Sequence, residues 1–146
     1  MPEQETLERA REDEREGLSP STQAGEFVRE EMEHIRDGEH GARSPEQAIA
    51  IGLSQARRAG VRLPPPKRGR ARTKRQAKRD LAKGHRRKQP SRTRSRAVRG
   101  ALKRESRRSA SRKALSRHAR RAANARSATS RSAAARKAAR TRKRRR

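Results

Sequence analysis

Two sets of residues have types and spacings that could do chemistry: a histidine pair flanked by carboxylates, and a long run of cations. His34 and His40 sit six residues apart in "EHIRDGEH", with Glu33 and Glu39 beside them. Imidazole and carboxylate together form a donor set for a transition-metal ion. Their spacing straddles an expected helix end, and the chain holds no cysteine to add a thiolate, so the expectation for metal is none. The other two histidines are His85 and His118. No nucleophile–base pair, phosphate loop or dinucleotide fingerprint occurs. The carboxylates of residues 3–16 and 26–33 fall on helices expected to be solvated. Catalytic residues are none, no cofactor is expected, and the chain is not expected to be an enzyme.

The cations make a stronger case. Residues 64–146 hold 35 Lys and Arg against Asp80 and Glu105, a net of +33. Residues 1–63 hold 14 Asp and Glu against nine Arg, a net of −5. An acidic head on a strongly basic tail selects a polyanionic partner. The residues expected to contact phosphate begin with Lys67, Arg68, Arg70, Arg72, Lys74, Arg75, Lys78 and Arg79. Arg86, Arg87, Lys88, Arg107, Arg108, Arg112, Lys113, Arg120 and Arg121 continue the set, and Arg136, Lys137, Arg140, Arg142, Lys143, Arg144, Arg145 and Arg146 end it. Arginine meets phosphate bidentately. Duplex DNA carries one charge per about 1.7 Å, so roughly 33 positive charges match about 55 Å of duplex.

The tail has no aromatic residue, hence no stacking platform for single strands, and no base-reading constellation. The expected partner is therefore duplex DNA, with RNA left open. Little sequence preference and a steep salt dependence follow. Serines beside arginines, such as Ser91, Ser95, Ser106, Ser109 and Ser111, read first as small soluble spacers. Their second reading is as phosphorylation sites that lower the charge.

The elements that must position these residues are few. Only 16 positions of 146 are Val, Ile, Leu, Met or Phe, and 41% are charged. So little apolar surface does not offset the chain entropy of a domain of that size. The expected fold is mostly α with long disorder: a small α-helical hairpin followed by a basic low-complexity tail that becomes helical on binding. Residues 1–18 read as an acidic leader, helical or disordered, with no apolar face. Residues 19–63 read as the hairpin. Its first helix opens at Ser19-Pro20, carries Phe27, Val28, Met32 and Ile35, and stops at Gly38. Its second opens at Ser44-Pro45-Glu46-Gln47, a capping-box pattern, and ends at Gly60. Residues 64–69 are a Pro-rich linker, and residues 70–146 are the basic tail.

In the second helix, Ile49 and Leu53 share one face while Ile51 lies about 200° from Ile49. One partner helix covers one of these faces, and either "VRLPPP" folds back over the second or a second copy of the chain covers it. A hairpin this small, without a disulfide or metal, also needs a partner. Phe27, Val28, Met32, Ile35, Ile49, Ile51 and Leu53 are therefore the expected self-association residues of a homodimer. The N-terminus lacks an apolar signal region, and "AIAI" is far too short to span a bilayer. A cytoplasmic, nucleoid-associated protein with no membrane partner is expected.

The stretch from Ser19 to Gly69, with "QAIAIGLSQARRAG" at its centre, resembles a family of short bacterial basic proteins of unknown activity. That family shares a QAIAIGLS-x-AR-x-AG helix, a preceding charged helix and usually a Lys/Arg/Ala-rich tail. The resemblance implies a bacterial, cytoplasmic protein and supplies no catalytic residues. The tail is compositionally similar to linker-histone and bacterial histone-like tails. The expected function is that of a sequence-nonspecific, histone-like DNA-binding protein that neutralises, bridges or compacts duplex DNA. Two alternatives stand beside it: a protein-interaction module tethered to nucleic acid by its tail, and an RNA- or ribosome-binding protein.

Overall fold

Local signals set the central helices. The structure, a computed structural model, describes residues 2–86 and 91–144. Helix α1 runs Gln4–Arg15, α2 Pro20–Asp37 and α3 Pro45–Ala59. Ser19 Oγ accepts from the Thr22 amide at 3.4 Å, and Ser44 Oγ from the Gln47 amide at 3.2 Å, so both Ser-Pro pairs act as caps. Gln47 Oε1 in turn accepts from the Arg43 amide at 2.6 Å, one residue ahead of a regular capping box. Gly38 (φ 87°) and Gly60 (φ 109°) end α2 and α3 in the left-handed region. After Gly60 the Val61 amide donates to Ala56 O at 3.0 Å, and Val61 is buried against the hairpin.

The hairpin core is Ala24, Phe27, Ala56 and Val61, joined by Ala10 from α1 and flanked by Leu7, Leu53 and Leu63. The two helices cross closely at Gly52, where a Cβ would lie 2.7 Å from Val28 Cα. The acidic leader is docked on α2. Thr6 and Ala10 are buried at that contact, small enough for close approach. Arg9 Nε donates to Glu26 Oε2 at 2.7 Å, and the Glu3 amide donates to Glu30 Oε1 at 2.6 Å.

The expectation of a long disordered tail is overturned. Helices α4 (Ala71–Arg86), α5 (Arg92–Lys103), α6 (Arg112–Asn124) and α7 (Ala128–Arg144) occupy it, with a short 3-10 turn at Arg107–Ala110. All regular structure among the described residues is helical, and the tail is so with no nucleic acid present. The entropy argument weighed large apolar side chains, whereas the contacts here use small and polar ones. Ala77 and Asp80 of α4 are buried against α3. A Cβ on Gly84 would lie 2.2 Å from Arg57 O, so α4 and α3 meet backbone to backbone. The Gly41 amide donates to Leu102 O at 2.9 Å and the Ala42 amide to Ser106 O at 3.1 Å, pinning the end of α5 to the α2–α3 loop. Arg36 Nε donates to Ala110 O at 3.1 Å, and Ala110 is fully buried.

The chain divides into two compact units, Met1–Ser111 and Arg112–Arg146. The second consists of α6 and α7. Ser127 Oγ caps α7 through the Ser130 amide at 3.2 Å. Arg131 of α7 donates to Arg126 O at 2.8 Å and reaches Ala123 O at 3.4 Å, across the turn from α6. Every described residue of α7 is exposed, so alanine and arginine propensity carries that helix. Among the described residues no helix is long and apolar enough to cross a membrane.

Candidate functional site

The basic half presents its cations on preformed helical stripes. In α4 the buried positions are Ala77 and Asp80, with Gly84 on the same side. At 100° per residue, Arg72, Arg75, Arg79 and Arg86 fall on the opposite face, over about 21 Å of helix. In α6 the half-buried residues Leu115, His118 and Ala122 share one face. Lys113, Arg117 and Arg120 share the other. In α7, Arg136, Arg140 and Lys143 line one side. Of the cations named from sequence, Lys74 is half-buried and the rest of those described are exposed. Arg87, Lys88, Arg145 and Arg146 lie outside the described residues. Arg117 was missing from that set; the three- and four-residue period of α6 is the signal that finds it.

Both acidic residues of the basic half are taken up internally. Asp80 is 1% exposed and accepts three side-chain hydrogen bonds. Arg58 Nε and Gln76 Nε2 reach its Oδ1 at 3.0 Å, and Ser54 Oγ reaches its Oδ2 at 2.7 Å. Glu105 is half-buried with Arg43 Nη2 at 3.8 Å. Arg57 is buried beneath this region and donates to Leu63 O at 3.1 Å and Pro64 O at 3.3 Å, fastening the Pro-rich segment to α3. Burial lowers the Arg57 guanidinium below its ordinary range, with Asp80 opposing the shift.

The residues expected to self-associate are used within the chain. Phe27, Met32 and Ile35 are buried, and Val28, Ile49, Ile51 and Leu53 are half-buried. Ile51 shares its helix face with Ser54 and Arg58, the side of α3 that α4 covers. The second face of α3 thus meets α4 of the same chain.

A polar cluster lies at the end of α2. Glu31 and His34, three apart, share a helix face. Beyond Asp37, Gly38 adopts its positive φ and the Glu39 amide donates to His34 O at 3.0 Å, which turns the chain back. The helix end that argued against joining His34 and His40 is what brings them together, with ring centroids 6.4 Å apart. The carboxylate they share is Glu31, not the exposed Glu33, which pairs with Arg29. Ligand atoms of Glu31, His34 and His40 all lie within 4.8 Å of one another. Glu31 is 1% exposed; Gln55 Nε2 donates to its Oε2 at 3.3 Å, while its buried Oε1 has no hydrogen-bond partner. Burial raises the Glu31 carboxyl above its usual range, against the lowering effect of His40 and His34. On its other side His34 Nε2 meets Glu3 Oε1 at 3.2 Å and Glu30 Oε1 at 3.8 Å.

Residues 20–68, the hairpin and all but the last residue of the Pro-rich segment, match the model of a family of unknown function, DUF6496. No curated protein and no solved structure matches the chain.

Proposed function

We propose that the chain is a sequence-nonspecific nucleic-acid-binding protein that takes duplex DNA on the cation stripes of α4–α7. The observation that carries this reading is the removal of Asp80 and Glu105 from the basic surface. With Asp80 buried and Glu105 held by Arg43, cations have no exposed acidic competitor in residues 64–146 among the described residues. The stripe of α4 is on a helix already held against α3, so binding there orders side chains rather than backbone, and less entropy opposes it. No aromatic residue and no acidic or amide cluster on these helices reads bases, so affinity resides in phosphate contacts and counterion release. The Arg/Lys/Ala/Ser composition of the tail, which is similar to that of histone-like tails, is in keeping with the same reading. Anisotropy titrations with unrelated duplexes of equal length test it. Equal affinities that fall steeply with salt are expected; a large preference for one sequence, or affinity insensitive to salt, would refute it. Tighter binding to structured RNA than to duplex DNA would shift the partner class.

A further inference from the structure

The cluster at the end of α2 lies outside the cation stripes of α4–α7. We propose that Glu31, His34 and His40 form a binding site for one divalent transition-metal ion, with zinc the expected occupant.

The His40 ring is set for ligation. Its Nδ1 lies 3.1 Å from Gly41 O, and a carbonyl oxygen only accepts, so Nδ1 carries the proton. In neutral His40 the lone pair is then on Nε2. That atom faces Glu31 Oε1 at 3.5 Å, the buried oxygen without a hydrogen-bond partner. Two acceptors facing each other in a buried site call for a proton or a metal ion between them, and the third donor, His34, favours the ion. A tetrahedral ion with bonds of about 2.0–2.1 Å holds neighbouring ligand atoms about 3.3–3.4 Å apart, close to the spacing found. A ring nitrogen of His34 supplies the third ligand within the same cluster.

The surroundings are those of supported ligands. Gly41 O fixes the His40 tautomer, and Gln55 of α3 orients Glu31 through its other oxygen. Two imidazoles and one carboxylate suit zinc better than magnesium or calcium, which favour all-oxygen sets. A cleft lined by Glu39, His40, Lys103, Glu105 and Arg107 gives a route in from solvent. The second acidic grouping, Glu3, Glu30 and His34, has one imidazole and an exposed Glu3, and makes the poorer site. The ion would tie α2 to the loop carrying His40, and through Gln55 to α3. It supplies the staple that a small hairpin otherwise lacks.

Zinc titration of the full-length chain without nucleic acid tests this, with a chromophoric zinc chelator as competitor and histidine side-chain NMR as a second readout. One zinc per chain at micromolar affinity or tighter is expected. His34 and His40 resonances should shift together while those of His85 and His118 stay in place. Glu31→Gln, which preserves side-chain size, and His40→Gln should each weaken zinc binding at least tenfold. A His85→Gln, His118→Gln double variant should leave it unchanged. Zinc binding no tighter than millimolar, equal binding by E31Q and H40Q, or shifts at His85 and His118 instead would overturn the site. If either variant fails to fold, the resonances of the unmodified chain decide. A Glu31–His40 pair sharing only a proton would show no response to zinc, which also overturns the proposal.

Discussion

At the scale of single residues, glycine and aspartate decide more than the large apolar side chains do. Gly52 permits the α2–α3 crossing, since a Cβ there would meet Val28 Cα at 2.7 Å and Val28 N at 2.9 Å. Backbone cannot give way as a flexible side chain does. Gly52→Ala should cost about 1–3 kcal/mol, read as a lower urea midpoint for the first unit. Gly25 provides the contrast: it is inside α2, and a Cβ there meets nothing within 4 Å. Gly25→Ala should stabilise by about 0.5–1 kcal/mol in the same assay, because helix propensity acts there without a steric cost. Asp80 is the remaining control point. Asp80→Ala would leave Arg58, Gln76 and Ser54 without their shared acceptor. Removing one member of a buried pair is costly, and exposure of Arg58 softens the effect, giving about 2–3 kcal/mol. Amide exchange should show that loss first in α4.

At the scale of elements, the two units differ in what holds them. Helices α1 to α4 have tertiary partners, whereas every described residue of α7 is exposed. Isolated helices of this length are marginal in water. Heating should therefore melt α7 gradually and ahead of the cooperative transition of α2 and α3, as followed by residue-resolved amide exchange. A single transition protecting α7 as strongly as α2 would contradict this. The same difference explains what could be read from sequence. Ser19-Pro20, Ser44-Pro45 with Gln47, Gly38 and Gly60 mark α2 and α3 because caps and stops are local. The docking of α1 and α4 was not legible. It rests on Thr6, Ala10, Ala77, Asp80 and Gly84, small or polar residues with no hydrophobic signature. The Glu31 cluster was only half legible. His34 and His40 stood out by type, but their meeting depends on the left-handed turn at Gly38, and Glu31 on burial that sequence does not reveal.

At the scale of the whole molecule, the chain separates two kinds of surface. Residues 1–63, net −5, build the small core and hold Glu31, His34 and His40; residues 64–146, net +33, present cations on helices. The acidic residues that would have interrupted the second surface are Asp80, buried against α3, and Glu105, paired to Arg43. The central claim is that these cations bind duplex nucleic acid through phosphate alone. It is tested most directly by the salt dependence of duplex binding, compared between the native chain and an Arg136→Gln, Arg140→Gln, Lys143→Gln triple variant. Each lost phosphate contact should lower the slope of log K against log salt by about 0.9, so the variant's slope should be shallower by roughly three, to the same extent on unrelated sequences. An unchanged slope, or a loss confined to one sequence, would contradict the account.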